Sequence, residues 1–165
     1  MPLFGLPIRA ARIERYAMTV ALEKAPYLAL VDDDAHSVRL LTRTLAAQGA
    51  PRLEWLGNAE DGLRRLTERL SPPVTTRPAL LIVDLRAKST ATRDFTAAVA
   101  DVACKASIPI VAMASTADPA ERQALIAAGA AAVVRREAER EAYRREVANI
   151  VSFWARSQRL DAVGM

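Results

Sequence analysis

The chain has few of the residues that build disulfides, histidine metal centres and aromatic cores. Among 165 residues there is one cysteine, Cys104, and one histidine, His36. A single cysteine cannot pair within the chain, which favours a reducing compartment. A single histidine argues against histidine-rich metal sites and Ser-His-Asp catalysis. Aromatic residues make up 5% of the chain, so we expect an aliphatic core, and we interpret Cys104 as a small, buried or half-buried helix residue.

Long apolar runs and a large excess of charge are also missing. No apolar run reaches the roughly 20 residues of a membrane span, and charged residues between positions 9 and 15 interrupt any signal-peptide core. The formal charge of +4 is a mild surplus that does not by itself indicate nucleic-acid binding. We therefore expect a cytoplasmic protein with no membrane and no nucleic-acid partner.

The first 25 residues are predicted to form a partly helical extension. Its arginines at positions 9, 12 and 15 share one side of a helix, which is either solvated or in contact with a partner. Met18 could be an alternative translation start, and the sequence leaves that open.

From Tyr27 onward the pattern is strand then helix, five times. The predicted strands are Tyr27–Val31, Leu53–Leu56, Ala79–Val83, Pro109–Ala114 and Ala131–Arg135. The predicted helices are Ala35–Gln48, Ala59–Leu70, Arg93–Lys105, one from Asp118 to near Gly129, and Glu137–Arg159. This alternation predicts an α/β fold, a parallel sheet with helices on both faces.

Side-chain patterns add detail to three of the helices. Asp118 is predicted as an N-cap with Pro119 in the first turn, and Glu121 is predicted to complete a capping box. Two apolar stripes are expected to face the core: Leu63, Leu66 and Leu70 in one helix, and Tyr143, Val147, Ile150, Val151 and Trp154 in the last.

Aspartates end two of the predicted buried strands. Asp32 and Asp33 follow the first strand, and Asp84 follows the third. Ligands bind beyond the carboxyl ends of open parallel sheets, at the switch point in strand order. In a 2-1-3-4-5 order these two strands are neighbours, so the three carboxylates would converge. Asp34 is assigned to capping the next helix.

Three adjacent carboxylates repel one another unless a cation lies among them. Mg²⁺ is the best candidate because it prefers oxygen ligands. An aspartate beside it can act as a nucleophile toward a phosphoryl group. The alternative is structural, with the aspartates serving only as caps or turn residues.

Four segments resemble the signature stretches of response-regulator receiver domains. They are LALVDDD, LLIVDL, PIVAMAS and AAGAAAVVRR, and the resemblance covers roughly residues 26–156. It implies a flavodoxin-like three-layer sandwich with strand order 2-1-3-4-5. It also implies a receiver domain over residues 26–160 with an elongated last helix and no separate output domain.

By the same resemblance, Asp32 and Asp33 match the family's acidic pair and Asp84 its phosphoacceptor. The backbone carbonyl of Arg86 matches a metal ligand, so the implied metal set is Asp32, Asp33, Asp84 and Arg86 with Mg²⁺. The implied partner is a histidine kinase or phosphotransfer protein, and the implied chemistry is at most self-phosphorylation and dephosphorylation. The sequence leaves the oligomeric state open, and a homodimer through the last strand and helix, or through the N-terminal extension, is one alternative.

Three positions depart from the family pattern. Ala114 stands where a hydroxyl residue usually binds the phosphoryl group, with Ser115 next to it. Arg136 replaces a lysine, which leaves two alternatives for its side chain: pairing with Asp84, which would lock the site, or binding a phosphate. Val133 replaces an aromatic residue that swings inward on activation. The residues for metal binding and nucleophilic attack are thus present, whereas the residues that transmit activation in this family are replaced.

Three functions remain open at this point. One is a stand-alone phosphoacceptor, and another is a pseudo-receiver that binds partners or dimerises without phosphorylation. The third is a haloacid-dehalogenase-like phosphatase, suggested by Asp32-Asp33-Asp34. It is disfavoured by His36 and by the lack of room for a cap domain. A DNA-binding output is not expected, because only about one helix follows Arg136.

Overall fold

A computed structural model describes residues 13–18, 25–72 and 76–163, with side chains as far as residue 160. Residues 13–18 are helical, while the rest of the predicted N-terminal extension before residue 25 lies outside the described residues. The strands are β1 (Leu28–Asp32), β2 (Leu53–Trp55), β3 (Leu80–Asp84), β4 (Ile110–Ala114) and β5 (Ala132–Arg135). The helices that follow them are α1 (Ala35–Ala47), α2 (Ala59–Leu70), α3 (Ala91–Lys105), α4 (Pro119–Ala128) and α5 (Arg140–Val163).

The strands form one parallel sheet in the order β2-β1-β3-β4-β5. This confirms the predicted three-layer α/β fold. The strand order reverses between β1 and β3, whose carboxyl ends lie side by side. The register pairs Asp32 with Asp84 directly, which places the two acids at the position where such sheets bind ligands.

Alternate residues of the central strands pack on opposite faces of the sheet. In β1, Ala29 and Val31 join a cluster with α2 and α3, whereas Leu28 and Leu30 join a cluster with α1 and α5. All residues of β1, β3 and β4 are buried. Burial on both faces explains why these strands read as continuous apolar runs rather than alternating ones.

Helix α2 does not pack through the predicted Leu63. That side chain is 44% exposed, while its neighbour Gly62 is buried. A Cβ atom on Gly62 would lie 2.7 Å from a methyl group of Val31, so the helix approaches the sheet along its glycine. The close approach rotates Leu63 toward solvent and leaves Leu66 as the buried leucine.

Three further predictions are corrected. Cys104 is exposed rather than buried or half-buried, because its neighbour Ala103 occupies the core-facing position of α3. Helix α5 begins at Arg140 rather than at residue 137, since the Glu139 carboxylate accepts hydrogen bonds from the amides of Glu141 and Ala142. Helix α3 begins two residues earlier than predicted, at Ala91.

The predicted apolar stripe of α5 packs as expected. Val147 and Ile150 are fully buried, and Tyr143, Val151 and Trp154 pack against the same cluster. Within the part of the chain that the structure describes, no helix is both long and apolar enough to cross a membrane.

Candidate functional site

The site is centred on two buried carboxylates at the ends of β1 and β3. Asp32 has no exposed surface and Asp84 is 2% exposed. Each is the last residue of its strand, so the preceding apolar residues fix its backbone inside the sheet. The backbone carbonyl of Asp32 also accepts a hydrogen bond from the Trp55 indole at 2.9 Å.

Arg136 binds Asp84 from the far side of the site. Its Nε atom donates to Asp84 Oδ1 at 2.9 Å, and its Nη2 atom donates to the same oxygen. Arg136 follows β5, and its backbone amide donates to the carbonyl of Ala114 at 2.8 Å. The main chain thus holds the residue at the end of β4, while the guanidinium reaches across to β3.

Arg86 binds the other oxygen of Asp84 and links it to the start of α1. One guanidinium nitrogen donates to Asp34 Oδ2 at 2.7 Å; the other donates to Ser37 Oγ at 3.0 Å and to Asp84 Oδ2 at 3.4 Å. Ser37 in turn donates to Asp84 Oδ2 at 3.3 Å. Both oxygens of Asp84 therefore accept from charged donors.

Asp33 is directed toward the loop after β3. Its carboxylate accepts hydrogen bonds from the backbone amides of Arg86, at 2.9 and 3.0 Å, and Ala87, at 2.7 Å. Asp34 acts as the predicted N-cap, since its Oδ1 accepts from the amides of His36 and Ser37. Asp33 thus contacts the loop after β3 through two backbone amides, while Asp32 and Asp84 are paired in the strand register. Among the described residues, no group of three or more acidic, histidine or cysteine side chains could hold a metal ion.

Asp32 is the least satisfied group in the site. Its Oδ1 accepts from the Asp34 amide at 2.8 Å, but its buried Oδ2 has no hydrogen-bond partner within the described part of the chain. Burial raises the pKa of Asp32 to about 6, and the nearby Asp84 carboxylate adds to the effect, against the lowering influence of the Asp34 amide. A sizeable fraction of Asp32 is therefore protonated in mildly acidic solution.

The β4 end of the site offers no free hydroxyl among the predicted positions. Ala114 is buried and has no side-chain donor. Ser115 donates through both its amide and its hydroxyl to Glu121 Oε1, at 2.9 and 2.8 Å. Val133 is half-buried and packs with the apolar cluster under α4.

Glu121 does not complete the predicted capping box. Asp118 caps α4 by accepting from the Ala120 amide at 2.9 Å, but Glu121 reaches back to Ser115 and Thr116 instead of to the Asp118 amide. Burial alone would raise the pKa of Glu121, but the hydrogen bonds from Thr116 and Ser115 outweigh it and lower the pKa to about 2. The carboxylate therefore fixes the loop between β4 and α4.

A divalent cation does not fit this arrangement as it stands. The buried Oδ2 of Asp32, which lacks a partner among the described residues, is an oxygen that a cation would use. Against this, Asp33 is held by two amides, and the guanidinium of Arg86 already bridges Asp34 and Asp84. The site carries its own cations, the guanidinium groups of Arg86 and Arg136. The metal set of Asp32, Asp33, Asp84 and the Arg86 carbonyl stays a prediction.

Sequence patterns missed several contributors to this site. The family resemblance implies a role for the backbone carbonyl of Arg86 and none for its side chain, although a basic residue two positions after Asp84 is near enough to suggest a contact. Ser37 lies one helical turn after the cap Asp34, which places it over the strand ends. The helical period assigns Tyr143 to the core, with contact to a partner as the alternative, and does not connect it with the acidic site. Burial raises the pKa of Tyr143 to about 12, with a further contribution from Asp84, so its hydroxyl lies within the electrostatic reach of the site.

No family model and no curated protein sequence matches this chain. Solved structures do match, and several of them are response regulators. The phosphorylated cyanobacterial phytochrome response regulator RcpA has a TM-score of 0.64 at 18% identity, over 79% of this chain and 94% of that one. A response regulator from Hahella chejuensis has a TM-score of 0.64 at 20% identity, over 79% and 95%. The Mn²⁺-bound form of the response regulator Rcp1 has a TM-score of 0.64 at 19% identity, over 79% and 94%. The fold of this chain is thus that of receiver domains.

Proposed function

We propose that this chain is a receiver-type signalling module that acts through protein contacts. Its acidic site is held in one arrangement by arginines rather than switched by phosphorylation. The observation that carries the proposal is the occupation of Asp84, whose two oxygens accept from Arg136 on one side and from Arg86 and Ser37 on the other.

These contacts oppose phosphoryl transfer for a chemical reason. A carboxylate oxygen attacks phosphorus with a lone pair, and each oxygen of Asp84 already directs its lone pairs at charged donors. A guanidinium stays charged at any physiological pH, so it cannot leave by losing a proton. The neighbouring hydroxyl of Ser115 is bound to Glu121 and Ala114 has none, which leaves neither to bind a transferred phosphoryl group.

A second candidate is a phosphoacceptor at Asp84, supplied by a histidine kinase or phosphotransfer protein and dependent on Mg²⁺. Two observations favour it. The buried Oδ2 of Asp32, without a partner among the described residues, lies in the same site, and the structural relatives include a phosphorylated and a Mn²⁺-bound response regulator. Under this candidate, Arg136 leaves Asp84 and binds the phosphoryl oxygens instead.

One experiment separates the two candidates. The chain is incubated with acetyl phosphate and Mg²⁺, and phosphoryl uptake is measured by intact mass. We expect no uptake by the wild type and measurable uptake by an Ala114→Thr/Arg136→Lys variant, which restores the hydroxyl and lysine of the family pattern. Uptake by the wild type that disappears in Asp84→Asn would establish the second candidate and refute the first.

Two further measurements bear on the same proposal. Light scattering after gel filtration should give the same oligomeric state with and without beryllofluoride and Mg²⁺. A site that the arginines hold in one arrangement offers beryllofluoride no second conformation to stabilise. Hydrolysis of p-nitrophenyl phosphate should not exceed that of a buffer control. Turnover that Asp32→Asn abolishes would instead support the phosphatase alternative.

A further inference from the structure

A cleft of about 570 Å³ lies beside the acidic site, between the loop after β3 and the first half of α4. Its floor is apolar and includes Leu85, Met113 and Leu125, each no more than 4% exposed. One wall is formed by Ala120 and Ala124 of α4. Small side chains on that wall leave the volume open, and its size is that of small-molecule sites, about 300–1,000 Å³.

Four basic side chains line the cleft, and two of them, Arg86 and Arg136, are already paired with Asp34 and Asp84. Arg86, Lys88, Arg93 and Arg136 all line it, and Glu121 is the acidic residue among the described residues that do so. The Glu121 carboxylate is already used by four hydrogen bonds from Ser115 and Thr116. These donors are neutral, so the Glu121 carboxylate keeps its negative charge and offsets part of the positive charge at the rim of the cleft.

Lys88 and Arg93 have little compensation of their own. Both pair with the same carboxylate, Asp94, at 3.6 and 3.5 Å, and Thr90 donates to that carboxylate as well. Their side chains are 69% and 49% exposed. One acid thus serves two cations, and both remain accessible to a ligand in the cleft.

The start of α3 adds to the positive character of the same wall. The side chain of its N-cap, Thr90, accepts no hydrogen bond from the first-turn amides, and its hydroxyl donates to the carboxylate of Asp94. Thr92 and Arg93 of that first turn line the cleft. The positive end of the helix dipole therefore borders the cleft, with Asp94 of the first turn already offsetting part of it.

We propose that this cleft binds a small organic anion, a ligand with an apolar body for the floor and one carboxylate, sulfonate or phosphate group for Lys88, Arg93 and the start of α3. The site is separate from the Asp84 carboxylate. Asp84 does not line the cleft, although Arg86 and Arg136 border both the cleft and the carboxylate.

The probe for the test is 8-anilinonaphthalene-1-sulfonate, which combines an apolar body with one sulfonate. Its uncharged analogue, N-phenyl-1-naphthylamine, has the same body without the anion. Binding of both is followed by fluorescence titration of the full chain. We expect saturable binding of the sulfonate, with a dissociation constant about tenfold higher in Lys88→Ala/Arg93→Ala. The uncharged analogue should bind more weakly, and the same substitutions should leave its affinity unchanged.

The matched control is Arg39→Ala/Arg65→Ala, which removes the same charge from two exposed positions on α1 and α2. It should leave the affinity for the sulfonate unchanged, while Ala124→Leu should weaken both probes by filling the cleft. Thermal unfolding confirms that each variant is folded, and Ala120→Leu replaces Ala124→Leu if that variant is not. Any of three results would overturn the proposal. The control pair could weaken sulfonate binding as much as Lys88→Ala/Arg93→Ala does, the leucine substitution in the cleft could leave both affinities unchanged, or the wild type could show no saturable binding.

Discussion

Removing the guanidinium of Arg136 should destabilise the fold through Asp84. In Arg136→Ala the Asp84 carboxylate stays buried, with its side chain 3% exposed, and keeps only the longer contacts to Arg86 and Ser37. The expected loss of stability therefore comes mainly from leaving a buried charge without compensation, and less from the lost hydrogen bonds themselves.

The magnitude follows from burial and charge. Two unit charges about 4 Å apart interact by about 4 kcal/mol at an effective dielectric constant of about 20, and breaking a buried pair costs about 3–5 kcal/mol. Arg136 is 23% exposed and Arg86 remains in place, so we expect a loss of about 2–3 kcal/mol for Arg136→Ala. Asp84→Asn removes the buried charge and its repulsion with Asp32, so its own effect should stay within about 1 kcal/mol.

The assay is a double-mutant cycle by urea unfolding. If the cost arises from the stranded carboxylate, Arg136→Ala should cost little in the Asp84→Asn background, which gives a coupling energy of about 2 kcal/mol. The control is Arg135→Ala, the neighbouring residue, whose 44% exposed side chain pairs with Glu137; it should change stability by less than about 0.5 kcal/mol. A coupling energy below about 0.5 kcal/mol would refute the account of the site as an arginine-held carboxylate.

Three further predictions test the acidic site, the loop between β4 and α4, and the packing of α2 on the sheet. Arg86→Ala should raise Mg²⁺ affinity about tenfold by calorimetry, since it removes a cation from among the carboxylates; an equal rise in Arg39→Ala would contradict this. Glu121→Gln should cost about 1–2 kcal/mol at pH 7. Because the folded pKa of Glu121 is lowered to about 2, its contribution is complete above the ordinary value of 4.5 and is lost as the pH falls toward 2. The difference between wild type and variant in urea unfolding should therefore shrink below pH 4.5, and a constant difference would count against the charged clamp. Gly62→Ala should destabilise by about 1–2 kcal/mol, because the new methyl group meets Val31; stabilisation, the usual result at an exposed helical glycine, would show that the helix can move away.

Residues that act locally can be predicted well from the sequence. Asp34 is identifiable as an N-cap because a cap needs only a short polar side chain next to the amides that it binds. Asp118 is identifiable for the same reason. The apolar runs of β1 and β3 predict buried strands, and all residues of both strands are buried in the structure.

Residues that act across the fold are predicted poorly. Leu63 matches the helical period, yet the close approach of Gly62 to Val31 decides which face of α2 packs. Glu121 matches a capping-box spacing, yet the hydroxyls and amides of the preceding loop are nearer to its carboxylate. In both cases a neighbour outside the helix outweighs the local pattern.

The sequence by itself determined the succession of strands and helices along the chain, and it placed an aspartate at the end of β1 and another at the end of β3. These features depend on periodicity and chain order alone. Only the tertiary structure decided what those aspartates contact. Arg136 and Ser37 lie 52 and 47 residues from Asp84 along the chain, and their approach depends on the right-handed crossovers and on the packing of α1 and β5. The carboxylates were readable as a site in the sequence, and a pairing of Arg136 with Asp84 was one of the two alternatives that the sequence left open. The contacts of the Arg86 guanidinium and of Ser37 with Asp84 became visible only in the tertiary structure.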